Sequence, residues 1–138
     1  MTIKVSQHTK RSGLTGKQTR YSISPDHIEY QLALNAITHW KNHHQLVEFA
    51  IAGHGYGNSD SQCGITYPGD LDDYGREVEK VVIPAGQVQA YSDHFEVEEK
   101  NLAEIDYLLI LKSFLEAIQE PQLAETIHHE IEKKPTTL

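Results

Sequence analysis

Residues 101–120 read NLAEIDYLLILKSFLEAIQE, and this stretch decides the fold class. Leu102, Ile105, Leu108, Leu109, Ile110, Leu111, Phe114, Leu115 and Ile118 recur at helical spacing. Together they cover most of a helix's circumference rather than one stripe. A helix apolar on so many sides packs at the centre of a domain, and the pattern predicts one over about 98–119. Pro121 then opens a further helix, about 121–133, with a Glu-, Lys- and His-rich outer face.

Working towards the N-terminus, residues 79–83 hold the β-branched apolar run Val81-Val82-Ile83 and read as a strand, and residues 84–86 (Pro-Ala-Gly) read as a turn. Residues 87–91 alternate apolar with polar. The pattern predicts a β-hairpin, extended through Phe95 and Val97. A short strand is expected over 64–67. Ser24, Pro25 and Asp26 form a helix-opening sequence: a cap, a proline at the first position and an acid at the positive end of the dipole. Two helices, about 25–42 and 44–52, follow from it, and Gly53 ends the second. The fold class is therefore α+β, with helices at both ends packed around a small antiparallel sheet.

At 138 residues the chain is long enough to bury a core without disulfides or metals. Its single cysteine, Cys63, has no internal partner, which suits a reducing compartment. No apolar run approaches the roughly 18 residues of a membrane helix, and the N-terminus lacks the apolar stretch of a secretory signal. A cytoplasmic protein is expected. Residues 1–22 are read as a flexible basic leader, apart from a possible strand over 2–5, and residues 23–138 as one domain.

Charge is strongly segregated. Residues 1–20 carry five Lys/Arg and no acid. Residues 58–106 carry twelve acids against Arg76, Lys80 and Lys100. A field of that sign repels phosphate backbones and attracts a basic protein.

The motifs that would carry chemistry fall short of their patterns. In GDLDDYGREVEK, residues 69–80, Asp70, Asp72 and Gly75 stand at EF-hand offsets. Tyr74 and the following Val81 occupy positions where ligands belong, so a calcium loop is not expected. The run Gly53-His54-Gly55-Tyr56-Gly57 resembles a nucleotide loop, yet Asn58 stands where the third glycine is required. Cys63 with His54 would make a thiol–imidazole pair, but no third, orienting residue is marked. His39 and His43, four apart, have no further ligand, and His128 and His129 point in different directions on a helix. Neither a catalytic nor a metal site is assigned, and no cofactor is expected.

The block FAIAGHGYGNSDSQCGITYPGDLDDYGREVEKVVI, residues 49–83, followed by strands and a long helix, resembles known proteins. Residues 28–133 are similar to immunity proteins of bacterial contact-dependent growth inhibition and related polymorphic toxin systems, those of ribonuclease toxins above all. The likeness rests on residues 53–57, on Cys63 and on Pro68-Gly69-Asp70-Leu71-Asp72-Asp73. It implies a non-enzymatic antitoxin that neutralises a cognate toxin, a basic nuclease in expectation, by stoichiometric binding. The expected toxin contacts are Asp70, Asp72, Asp73, Tyr74 and Glu77, with Asp60, Asp93 and Glu96 behind them. Tyr56, Tyr67 and Tyr91 join Tyr74 as candidate aromatic anchors. Two other readings stand beside this one: a small enzyme built on Cys63 and His54 or on a His-bound metal, and an interaction domain unrelated to toxins.

Overall fold

The structure is a computed structural model that describes residues 2–13 and 16–134. Two antiparallel strands, β1 (Lys4–Ser12) and β2 (Gly16–Ser24), form a separate two-stranded ribbon. Helices α1 (Ile28–Thr38) and α2 (His43–Ala52) follow. Then come β3 (Tyr56–Asn58), β4 (Cys63–Thr66), a 3₁₀ turn at Pro68–Asp70 and the short helix α3 (Asp73–Glu77). The chain ends with β5 (Gln87–Ser92), β6 (Glu99–Ala103), α4 (Glu104–Ala117) and α5 (Pro121–Lys133). Strands β3-β4-β5-β6 make one antiparallel sheet in sequence order. The protein is thus α+β, with helices flanking small antiparallel sheets.

Alternation along β5 explains the layering. Val88, Ala90 and Ser92 are buried, while Gln87, Gln89 and Tyr91 are only partly covered. The buried row faces α1, where the Ser92 hydroxyl donates to Asn35 Oδ1 at 2.8 Å. On the opposite face Gly57, Gly64 and Tyr91 stand in register across β3, β4 and β5. The Tyr91 ring lies over both glycines, and a Cβ at either would overlap its hydroxyl.

Helix α4 occupies the centre, as its apolar circumference requires. Leu108, Ile110, Leu111 and Leu115 are fully buried. It packs against α1, β1 and α5. Helix α5 contributes Ala124 and Ile127 to the same core, and its buried Glu130 is held by Lys133 at 3.0 Å. Gly53 ends α2 in the left-handed region, with φ of +65°. No helix among the described residues is long and apolar enough to cross a membrane.

Four expectations are corrected. Most of the residues read as a flexible leader belong to the β1–β2 ribbon, paired from Lys4↔Ser24 to Ser12↔Gly16. Its root is anchored by Val5 and Ile23, both in the core. Second, Ser24 ends β2 and does not cap a helix; α1 begins at Ile28 with no side-chain cap. Third, residues 79–83 are not a strand, because β5 pairs on one side with β4 and on the other with β6. Fourth, the long helix starts at Glu104, since residues 99–103 form β6 instead.

Candidate functional site

The segment from Pro68 to Ile83 leaves β4, makes two short helical turns and returns to β5. Its shape is set by two aspartates acting on backbone amides. Asp70 Oδ2 accepts from the amides of Tyr67 at 2.7 Å and Gly55 at 2.8 Å. Asp72 caps α3, accepting from the Gly75 amide at 2.8 Å. The Glu79 amide donates to the Tyr74 carbonyl at 3.1 Å, and the Val81 amide to the Gly75 carbonyl at 2.9 Å. Asn101 of β6 donates to the Val82 carbonyl at 3.2 Å, tying the segment to the sheet. The calcium geometry is absent: Asp70 and Asp72 are each committed to amides in different turns.

What this segment presents outward is apolar as well as acidic. Tyr74, Val78 and Val82 are 61%, 62% and 73% exposed, although Gly75 beside Tyr74 and Ile83 beside Val82 are buried. Tyr74 and Val78 stand four apart across α3 and its end, one turn from each other. Asp73 and Glu77 repeat that spacing one position earlier, so acids border the apolar row. Exposed Asp72 and Glu79 extend the acidic margin. Val78, Val82 and Glu79 were not among the residues expected to bind. The spacing of four from Tyr74 was the signal for Val78; a strand reading of residues 79–83 concealed the exposure of Glu79 and Val82.

The other expected contacts lie elsewhere. Asp60 sits in the β3–β4 turn, and Asp93 and Glu96 in the β5–β6 turn, all exposed. These two turns adjoin, since the Asp93 amide donates to the Gln62 carbonyl at 3.2 Å. They emerge from the Cys63–Ser92 end of the sheet, whereas the 68–83 segment leaves from the Thr66 and Gln87 end. Strands of four and six residues separate the two groups by roughly 13–20 Å. The acidic window is therefore two surfaces. Asp70 belongs to neither in full: its side chain is 21% exposed and engaged by the two amides, with His54 Nδ1 at 3.6 Å.

Of the candidate aromatic anchors, only Tyr74 is exposed. Tyr56 and Tyr67 are buried and Tyr91 is partly covered. The Tyr56 and Tyr107 hydroxyls are 2.8 Å apart in the core, and burial pushes both ionisations far up.

Cys63 and His54 do not form a pair. Cys63 faces Asn58 and Ser92 across the sheet, while His54 precedes the β3 register that sets Tyr56 against Ile65. Burial raises the Cys63 ionisation, the opposite of what activates a thiol. His39 is stacked on His94 with ring centres 5.4 Å apart, and His43 sets its edge on Phe114. Among the described residues no three His, Cys, Asp or Glu side chains gather where a metal ion would sit.

Comparison of the chain with family models, curated proteins and solved structures returned no match.

Proposed function

We propose that the protein is an immunity protein of a bacterial toxin system: a cytoplasmic inhibitor that binds a cognate toxin, a basic nuclease, in a one-to-one complex. One observation carries the reading. Tyr74, Val78 and Val82 are exposed on one short segment that also exposes Asp72, Asp73, Glu77 and Glu79 against Arg76 and Lys80. Large apolar side chains exposed together on an ordered segment mark an interaction surface. An aromatic anchor within a charged rim is how tight interfaces divide affinity from steering. A nuclease must carry basic surface for its phosphate substrate, and an acidic inhibitor covers that surface by the same attraction. The likeness of residues 49–83 to ribonuclease-toxin immunity proteins supports the same reading.

Co-expression tests it. A basic nuclease toxin domain from a gene adjacent to this one would be induced in cells carrying this protein or a Tyr74→Ala, Asp73→Asn, Glu77→Gln variant. Survival with the wild type and killing with an equally abundant variant is the expected result. Killing in both, or survival in both, removes the segment from any neutralising role.

A further inference from the structure

The β1–β2 ribbon has a second, chemically opposite surface. The Val5 amide donates away from β2, to Ser113 Oγ on α4 at 2.7 Å. In an antiparallel ladder, opposed pairs alternate between exchanging both backbone bonds and exchanging none. Val5↔Ile23 is therefore a pair that exchanges none, and by alternation so are Gln7↔Tyr21 and Thr9↔Thr19. The N–H and C=O groups of Thr19, Tyr21 and Ile23 accordingly point out from the far edge of β2. No hydrogen bond to those six groups is present among the described residues.

That edge does not face bulk water alone. Residues 19–23 form one wall of a cleft of about 610 Å³, and α1 supplies the other through Leu34, Asn35 and Thr38. Phe95 and Asp26 also line it. The volume falls in the ordinary range for ligand clefts. The ribbon is exposed on both faces from Gln7 to Lys10 and from Gln18 to Arg20, the last two of which reach the cleft. A two-stranded ribbon without a packed face is marginal in water, and a third strand on its edge would add the pairing it lacks.

Charge selects the occupant. Lys4, His8, Lys10 and Arg20 share one face of the ribbon, since alternate residues and their direct partners project together. Residues 1–20 hold no acid to neutralise them. We propose that the outer edge of β2 accepts an extended segment of a partner protein as a third strand, one that alternates apolar and acidic residues. Its apolar positions would face Leu34 and Phe95; its acids would lie beside Arg20, the base on β2 itself. Backbone pairing supplies affinity and the alternate side chains supply selectivity, as in other strand-addition complexes. A second copy pairing β2 to β2 would bring two basic faces together, and nucleic acid would leave the backbone groups unused. This inference uses none of the residues of the acidic segment and stands apart from the toxin reading.

The probe is a capped synthetic octapeptide, Thr-Val-Glu-Val-Glu-Val-Glu-Thr, with its Lys-for-Glu counterpart as control. Amide hydrogen exchange followed by NMR should slow at Thr19, Tyr21 and Ile23 by at least about tenfold when the acidic peptide is bound. Thr19→Pro deletes one outward N–H and leaves the β1–β2 bonds in place. Arg20→Glu reverses the neighbouring charge and does not touch the backbone. Each should weaken the acidic peptide at least about tenfold. If Thr19→Pro disturbs the ribbon, Arg20→Glu decides the point. Equal binding of the lysine peptide, unchanged exchange at the three amides, or binding of a single-stranded oligonucleotide in place of the peptide would overturn the proposal. So would dimerisation of the protein through this edge that excludes the peptide.

Discussion

The amide of Gly55 donates to Asp70 Oδ2 at 2.8 Å, joining the start of β3 to the 3₁₀ turn beyond β4. The same oxygen accepts the Tyr67 amide at 2.7 Å, so one carboxylate fixes where the segment carrying Tyr74 begins. Bonds from amides to a carboxylate are stronger than neutral ones, and deleting the acceptor leaves two donors without a partner. Asp70→Ala is expected to lower unfolding free energy by about 2–3 kcal/mol in a denaturant titration. Asp70→Asn, which keeps an acceptor oxygen but not the charge, should cost about 1 kcal/mol. Equal, negligible effects would show that the two bonds do not hold the segment.

Glycine substitutions report the same close approach from the other side. A Cβ on Gly55 would overlap the Ile65 carbonyl oxygen and reach 2.5 Å from Asp70 Oδ2. One on Gly64 would overlap the Tyr56 carbonyl oxygen and lie 2.5 Å from the Tyr91 hydroxyl. Gly69 has nothing within 4 Å. Gly55→Ala and Gly64→Ala should each destabilise by about 2 kcal/mol or more, while Gly69→Ala stays within about 0.5 kcal/mol. Thermal melting of the three variants distinguishes them.

These contacts also mark where the sequence was legible and where it was not. Helix α4 was readable, apart from its start, because long apolar periodicity has few alternative meanings, and α5 because proline suits a first helical position. Gly53 was readable because a left-handed helix end favours glycine. Residues 79–83 misled because β-branched composition records local preference, while a strand needs a partner; β5 takes β4 and β6, leaving this segment none. The ribbon was missed for the converse reason. Most of its described residues are exposed on both faces, so residues 6–22 show no alternation of apolar with polar, and among the described residues Val5, Tyr21 and Ile23 tie it to the core or its margin. At the candidate site, charge density pointed to Asp73 and Glu77, which the structure leaves exposed beside Tyr74. It could not reveal that Asp70 turns onto backbone amides, or that Asp60 and Asp93 lie at the far end of the sheet.

The buried tyrosines offer a contrast within one core. The Tyr107 hydroxyl shares a 2.8 Å hydrogen bond with Tyr56. The Tyr67 hydroxyl, equally buried, has no hydrogen-bond partner among the described residues. Tyr107→Phe should therefore destabilise by about 1–2 kcal/mol, since it leaves the Tyr56 hydroxyl unpaired. Tyr67→Phe removes a hydroxyl that lies near the Glu104 carboxylate without a hydrogen bond of good geometry, and should change stability by no more than about 1 kcal/mol. Chemical denaturation of both variants tests the sign as well as the size.

Alkaline pH should unfold the protein through these same residues. Burial pushes Tyr30 up to about 12 and raises Tyr56, Tyr67 and Tyr107 further. In the unfolded chain they ionise near pH 10, so the unfolded state loses protons first. Their stabilising contribution is complete below about pH 10 and declines as pH rises towards and beyond about 12. Tyrosinate absorbance from this group should rise together with loss of near-ultraviolet circular dichroism. Ionisation of all the tyrosines with tertiary structure intact would contradict the burial described for them.

The most direct measurement is the affinity of the proposed partner, a basic nuclease toxin domain taken from a gene adjacent to this one, for this protein, by calorimetry at two salt concentrations. The comparison is with a variant combining Tyr74→Ala, Asp72→Asn, Asp73→Asn and Glu77→Gln. We expect one-to-one binding by the wild type that weakens with added salt. The variant, folded by circular dichroism, should bind at least about a hundredfold more weakly and with a smaller salt dependence. Unchanged affinity and unchanged salt dependence would contradict the assignment of this segment as the recognition surface.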